Sequence, residues 1–89
     1  MSTTWLAVIA ETEFQEFARR VRGLKRSYAA YCAQLDRREA DWTAASPDGR
    51  VVRVRVSASD LDRFCGSSER GCSARELGGL ANLKDTGWL

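Results

Sequence analysis

The residues best suited to chemistry in this chain are arginines that recur along one predicted helix and one predicted strand. Arg19, Arg22 and Arg26 are spaced three and four residues apart, which places them on one face of an α-helix. Arg53 and Arg55 alternate with valines, which places both on one face of a strand. Because guanidinium groups form forked hydrogen bonds to carboxylates and phosphates, these arginines predict an interaction surface.

The same arginines also fit a solvated surface that has no function. Glu16 lies three and four residues before Arg19 and Arg20, so local ion pairs are expected on the helix. Arg and Ala are both encoded by GC-rich codons, so gene composition alone explains the excess of Arg over Lys. The net charge of +2 is too small to indicate a nucleic-acid partner by itself. The sequence therefore leaves both interpretations of the arginines open.

The residue patterns of common catalytic sites do not occur in this sequence. The chain has no histidine, which excludes a Ser–His or Cys–His nucleophile pair. Two carboxylate pairs, Asp60 with Asp62 and Asp36 with Glu39, fall at predicted helix ends, where solvation explains them. No glycine-rich phosphate loop follows a predicted strand. We therefore expect no catalytic residue and no enzymatic activity.

The three cysteines, Cys32, Cys65 and Cys72, are the only soft metal ligands, and their spacing disfavours a zinc site. Six residues separate Cys65 from Cys72, whereas zinc knuckles place about two to four between ligands. We expect neither a metal nor a cofactor. An odd number of cysteines without paired spacing fits a reducing compartment, so a cytoplasmic location is expected. The apolar run at 5–10 is far shorter than the roughly 20 residues of a membrane span, so no membrane partner is expected.

One long apolar pattern predicts an amphipathic helix from Thr12 to about Leu35. Thr12 and Gln15 have the spacing of a capping box, which would satisfy the first free amides of this helix. Gly23 interrupts the polar side but leaves the apolar register intact, so we predict one continuous helix. The same spacing also fits a coiled coil, so the chain is expected to be a monomer or a homodimer. The apolar residues recur at alternating steps of three and four: Phe14, Phe17, Val21, Leu24, Tyr28, Tyr31 and Leu35.

Three strands are predicted to pack against this helix. The apolar run at 5–10 is typical of a buried strand. From Trp42 the apolar period changes to two, which predicts a hairpin of strands 42–45 and 51–56 joined by a turn at 46–49. Within the second strand, Arg53 and Arg55 would face solvent and the alternating valines would face the core.

Short helices are predicted after the hairpin. One begins near Asp60, and a second opens at a capping box of Ser73 with Glu76 and carries Leu77, Leu80 and Leu83. The predicted fold class is therefore α+β, a single domain over residues 1–89 in β-α-β-β-α order. A small three-stranded antiparallel sheet would carry the long amphipathic helix on one face, and the short C-terminal helices would complete the fold.

These features favour a small non-enzymatic module that binds a partner protein and blocks it sterically. Bacterial and phage inhibitors and regulators often have this size, and anti-CRISPR proteins are one such anti-defence class. The alternative is a nucleic-acid-binding regulator that uses the Arg-rich helix face, with binding that weakens steeply as salt rises. The predicted partner-binding residues are Arg19, Arg22, Arg26, Arg53, Arg55 and Trp88.

Overall fold

The computed structural model describes residues 2–65 and 72–87 and combines α-helices with short strands. The α+β composition agrees with the sequence analysis, whereas the predicted sheet does not. The elements are β1 (Thr3–Ile9), α1 (Glu11–Arg20), β2 (Val21–Arg22), α2 (Tyr28–Ala45), β3 (Arg50–Val56), α3 (Ala58–Cys65), β4 (Cys72–Ser73), a 3₁₀ helix (Ala74–Glu76) and α4 (Leu77–Asp85). None of the helices in this described part has both the length and the apolar character needed to cross a bilayer.

The main sheet is a parallel pair of strands, so the predicted three-stranded antiparallel sheet is wrong. β1 lies beside β3 in a register that runs from Thr3 opposite Arg50 to Ile9 opposite Val56. The predicted hairpin is absent because residues 42–45 form the last turn of α2 and not a strand. The predicted turn at 46–49 does form, with the Gly49 amide donating to the Ser46 carbonyl at 2.8 Å, but it joins a helix to a strand. The chain therefore enters β3 from a helical crossover.

The predicted helix over 12–35 is broken into two helices, and the break has identifiable causes. α1 ends at Arg20, and Gly23 then adopts a φ of +78°, a conformation that few other residues tolerate. Ser27 starts α2, where its Oγ accepts a hydrogen bond from the Ala30 amide at 3.1 Å. The predicted cap at Thr12 does not form, because α1 already begins at Glu11 and no side chain caps it. The continuous stripe that favoured a coiled coil is therefore lost.

The apolar residues of the broken stripe still reach the core, because both helices turn them inward. Phe14 and Phe17 of α1 and Tyr31 and Leu35 of α2 are buried. The ring of Phe14 contacts the rings of Tyr28 and Tyr31, with centroids 5.5 and 5.8 Å away. The buried apolar residues are Leu6, Ala7, Ile9, Phe14, Phe17, Val21, Tyr31, Leu35, Val56, Leu61, Leu77, Leu80 and Ala81.

Helices cover both faces of the parallel pair, as a two-stranded sheet requires. Residues opposite one another in the register share a face, so Leu6 and Arg53 point towards the same helix. That helix is α2, since Arg53 binds carboxylates of α2. α4 covers the other face, where the Trp5 indole donates to Asp85 at 3.0 Å. The sheet is therefore the middle layer between α2 and α4.

A buried carboxylate ties the end of β3 to α3 and α4. The carboxylate of Asp60 accepts hydrogen bonds from the amide and hydroxyl of Ser57 at 2.8 and 3.0 Å, and the Ser57 hydroxyl accepts one from the Asp60 amide. Lys84 binds the same carboxylate oxygen at 2.5 Å and the Arg55 carbonyl at 2.7 Å. Burial works against ionisation here, but the hydrogen bonds from Lys84 and Ser57 prevail and lower the pKa of Asp60.

Replacing Asp60 with Asn should lower the free energy of unfolding at pH 7 by about 1–3 kcal/mol, because the substitution removes a charged hydrogen-bond partner of Lys84. A carboxyl group with a lowered pKa stabilises the fold above its unfolded pKa and loses this effect as the pH falls. The stability difference between the two proteins should therefore shrink as the pH falls below about 3.8, and it should vanish once the pH lies below the lowered pKa of folded Asp60. Urea unfolding of both proteins from pH 7 into the acid range measures this difference.

Asp48→Asn is the matched control, because Asp48 is exposed and makes no ion pair among the described residues. We expect this control to change stability by less than about 0.5 kcal/mol. Equal stabilities of Asp60→Asn and Asp48→Asn at pH 7 would show that Asp60 does not hold these elements together.

Candidate functional site

The arginines of the predicted helix face do not share a face in the structure. Arg19 lies on α1, Arg22 on β2 and Arg26 in the loop before α2, and all three are exposed. Arg19 forms an ion pair with Glu16, as the local spacing predicts, and Arg20 approaches the same carboxylate at 3.9 Å. The break after α1 therefore separates the stripe into side chains with different surroundings.

Arg53 and Arg55 of β3 lie on the face that α2 covers, so the strand does not present the open basic face that a hairpin would. Arg53 binds Asp36 at 2.8 Å and Glu39 at 2.7 Å, and these hydrogen bonds raise its pKa. The guanidinium group of Arg53 thus links β3 to α2. Arg55 is exposed and lies near Tyr28, where a shallow pocket separates α2 from the end of β1. The last predicted residue, Trp88, lies outside the described residues.

The carboxylates considered for catalysis all have cationic partners. Asp36 and Glu39 bind Arg53, and Asp60 binds Lys84. The fourth of them, Asp62, binds Arg20 at 2.5 Å. These contacts connect elements of the fold, which accounts for the carboxylates without a catalytic role.

Cys32 is half-buried on α2, which partly agrees with its prediction as a small core residue. The Cys32 side chain is the main cause that raises the pKa of Tyr28. The side chains of Cys65 and Cys72 lie outside the described part of the chain. Within the part that is described, no three metal-binding side chains come together.

A different set of cations meets where α2 passes the free edge of β1. A cavity of about 210 Å³ opens there between α2, β1 and the start of α4. A shallower groove continues from it along α2, and Gln34 and Arg38 line both parts. We call the two together the basic groove. Its inner cavity is lined by Trp5, Leu6, Ala7, Tyr31, Gln34, Leu35, Arg38, Ala74, Arg75, Leu77 and Gly78, and its outer part by Lys25, Ala30, Ala33, Gln34, Arg37 and Arg38.

The cations of the basic groove are exposed and lack the partners that neutralise other arginines. Lys25, Arg37, Arg38 and Arg75 form no ion pair among the residues that the structure describes. Arg53, in contrast, has two carboxylate partners. The groove therefore carries a local excess of positive charge that the small net charge of the whole chain does not show.

Two segments that are distant in sequence position these cations, residues 25–38 and the 3₁₀ helix. Gln34, Arg37 and Arg38 lie within about one turn of α2, beside the buried Leu35. Arg75 reaches the same place because β2 pairs in parallel with β4, with Arg22 opposite Ser73. This pairing brings the 3₁₀ helix against the loop before α2.

The inner cavity has an apolar floor that is held by two close contacts. The Tyr31 hydroxyl donates to the Ala7 carbonyl at 2.7 Å, at the edge of β1 that does not pair with β3. A Cβ atom on Gly78 would lie 3.3 Å from the Trp5 carbonyl oxygen, so the glycine lets α4 approach this strand closely. Burial raises the pKa of Tyr31 to about 12, so the phenol is a hydrogen-bond donor at neutral pH and not a base. The arrangement is therefore suited to binding.

Arg37 and Arg38 were not predicted as site residues because the predicted helix ended near Leu35, whereas α2 continues to Ala45. Trp42 lies seven residues after Leu35, and this helical spacing would have extended α2 past Arg37 and Arg38. Arg75 carries no such local signal, since its place depends on the pairing of β2 with β4. None of the predicted partner-binding residues in the described part lines the groove, although Arg22 lies opposite Ser73 and Arg26 follows Lys25 in the chain.

Comparisons of the chain with protein-family models, with curated proteins and with solved structures find no match. The function proposed below is accordingly inferred from the residues of the basic groove.

Tyr31→Phe should lower the free energy of unfolding by about 1–2 kcal/mol, because the buried Ala7 carbonyl loses its donor. The absorbance of phenolate at 295 nm checks the same residue in the folded protein. The titration step that disappears in the variant should lie near pH 12. A group with a raised pKa favours the fold below its unfolded pKa, so wild-type stability should fall above about pH 10.

Tyr28→Phe serves as the control for this experiment. Its hydroxyl lies beside Cys32 and makes no contact with β1 among the described hydrogen bonds. Loss of a titration step at the ordinary tyrosine pKa of about 10 in Tyr31→Phe would instead show that the Tyr31 phenol is not buried against β1.

Proposed function

We propose that this protein is a non-enzymatic binding module whose basic groove docks on an acidic surface of a partner protein and blocks it. The observation that carries the proposal is a groove lined by four cations, Lys25, Arg37, Arg38 and Arg75, that form no ion pair among the described residues. Two of them, Arg38 and Arg75, line a cavity that is partly apolar. Such a combination is typical of interfaces, in which an apolar centre is surrounded by a polar rim.

The unpaired state of these cations supports binding over structural stabilisation. An arginine that already holds a carboxylate within its own fold must exchange that partner in order to bind another. Among the residues that the structure describes, Arg37, Arg38 and Arg75 have no such partner to give up, so each can form forked contacts to a carboxylate of another molecule. Unpaired cations on one face also accelerate encounter with an acidic partner.

We extend the proposal to the mode of action, which is steric blocking by a small inhibitor or regulator in the cytoplasm. Support comes from the groove arginines, which form no ion pair among the described residues, and from a cysteine content that fits a reducing compartment. Anti-defence proteins of phages and mobile elements, anti-CRISPR proteins among them, are the class to which we assign this mode. Its partner would be a host protein with a working surface rich in Asp and Glu.

A nucleic-acid-binding regulator is the second candidate, because the same cations could contact successive phosphates along the groove. The lining of the outer groove favours the protein partner. Its described residues are alanines, Gln34 and cations, without an aromatic side chain on which a base could stack.

Affinity capture from a lysate of the source cells should recover one stoichiometric protein partner with the wild-type chain. Charge reversal of Arg37, Arg38 and Arg75 to Glu should abolish this capture, because the groove then repels an acidic surface. Quantitative mass spectrometry of the captured material measures the loss.

A matched control reverses Arg50, Arg55 and Arg63, which are equally exposed and form no ion pair among the described residues. This control should retain the partner. If the control variant loses the partner and the groove variant retains it, the binding site lies on the predicted surface of β3 and not in the groove. Capture of nuclease-sensitive material, with affinity that falls steeply as salt rises, would support the second candidate instead.

A further inference from the structure

We infer that the partner segment recognised by the basic groove is acidic and carries one apolar anchor side chain, which enters the inner cavity. This inference rests on the proposed function and names the chemistry of the partner. The anchor is an aliphatic or aromatic residue such as Leu or Phe, and Asp or Glu residues flank it.

The size and lining of the cavity set the nature of the anchor. A cavity of about 150 Å³ is enough to hold a benzene molecule, and the inner cavity measures about 210 Å³. Leu6, Leu35 and Leu77 contribute apolar surface to its lining. The Tyr31 hydroxyl already donates its proton to the Ala7 carbonyl. An apolar group therefore fits the floor of the cavity better than a hydrogen-bonding group does.

The positions of the charges set the residues that flank the anchor. Arg38 reaches the cavity from α2, and Arg75 reaches it from the 3₁₀ helix, so its lining includes a cation from each of two elements. Carboxylates next to the anchor would meet these two guanidinium groups. Lys25 and Arg37 extend the positive charge along the outer groove, where further acidic residues of the segment would lie.

An extended acidic peptide fits these features better than a nucleic acid does. A base in the inner cavity would place part of its polar edge against Leu6, Leu35 and Leu77, where it finds no hydrogen-bond partner. The Trp5 indole is held by Asp85 at 3.0 Å and is not free to turn onto a base. An apolar side chain in the same cavity loses no hydrogen bond.

A peptide-display library of random 12-residue segments, selected on the immobilised full chain, tests this inference. The selected peptides should share one apolar residue between Asp or Glu residues. Replacement of that apolar residue by Ser in a synthetic, fluorescein-labelled peptide should weaken binding about 30-fold, as expected for a central interface residue. Fluorescence anisotropy measures both affinities.

Two variants of the protein test the cavity directly. Ala74→Leu adds volume inside the cavity, and Gln34→Phe covers its mouth from a helix position that is only half-buried. Each should weaken the selected peptide by at least about tenfold. Ala40→Leu, on an exposed position of α2 outside the groove, should leave affinity unchanged. Circular dichroism verifies that each variant folds. If Ala74→Leu does not fold, the affinity of Gln34→Phe for the selected peptide tests the cavity alone.

The outcomes separate this inference from the proposed function. Selected peptides that are acidic but lack an apolar residue, or that bind both cavity variants with wild-type affinity, would overturn the anchor and leave the acidic partner in place. A selection without acidic peptides would overturn both. Tighter binding of a single-stranded 20-nucleotide DNA than of any selected peptide would assign the groove to nucleic acid.

Discussion

The parallel pairing of β1 with β3 is the constraint on which the rest of the structure depends. Two parallel strands cannot be joined by a tight turn, so the chain must cross from one end of the pair to the other. The crossover here runs from residue 10 to residue 49 and contains α1, β2 and α2. Because a pair of strands is not stable alone, helices must also cover both of its faces. α2 lies within the crossover and covers one face, α4 covers the other face, and the passage of α2 beside β1 creates the basic groove.

Most buried positions could be predicted from the sequence, whereas the path of the chain between them could not. The apolar stripe of the predicted helix does form the core, although Gly23 divides it between α1 and α2. The spacing of the apolar residues does not reveal such a break, because the residues before and after Gly23 keep the same register. The alternation in β3 was likewise read correctly as a strand. The strand that pairs with β3 was predicted wrongly, because a local pattern cannot distinguish a hairpin from a crossover.

The arginines show why a candidate site is harder to predict than a core. Arg53 and Arg38 are the same residue type, yet two carboxylates of α2 neutralise Arg53 and none of the described acids pairs with Arg38. The difference depends on which elements become neighbours in the fold. Arg75 is the extreme case, because the pairing of two-residue strands brings it to α2. The roles of Arg38, Arg53 and Arg75 therefore depend on tertiary contacts, which spacing along the chain does not reveal.

Nuclear Overhauser effects between backbone protons test the parallel pairing most directly. We expect cross-strand effects between Ala7 and Val54 and their neighbours in the register, with helical contacts throughout residues 42–45. Close Hα–Hα contacts between residues 42–45 and residues 51–56 would instead reveal an antiparallel hairpin. That result would contradict the crossover, the position of α2 and the groove that depends on it.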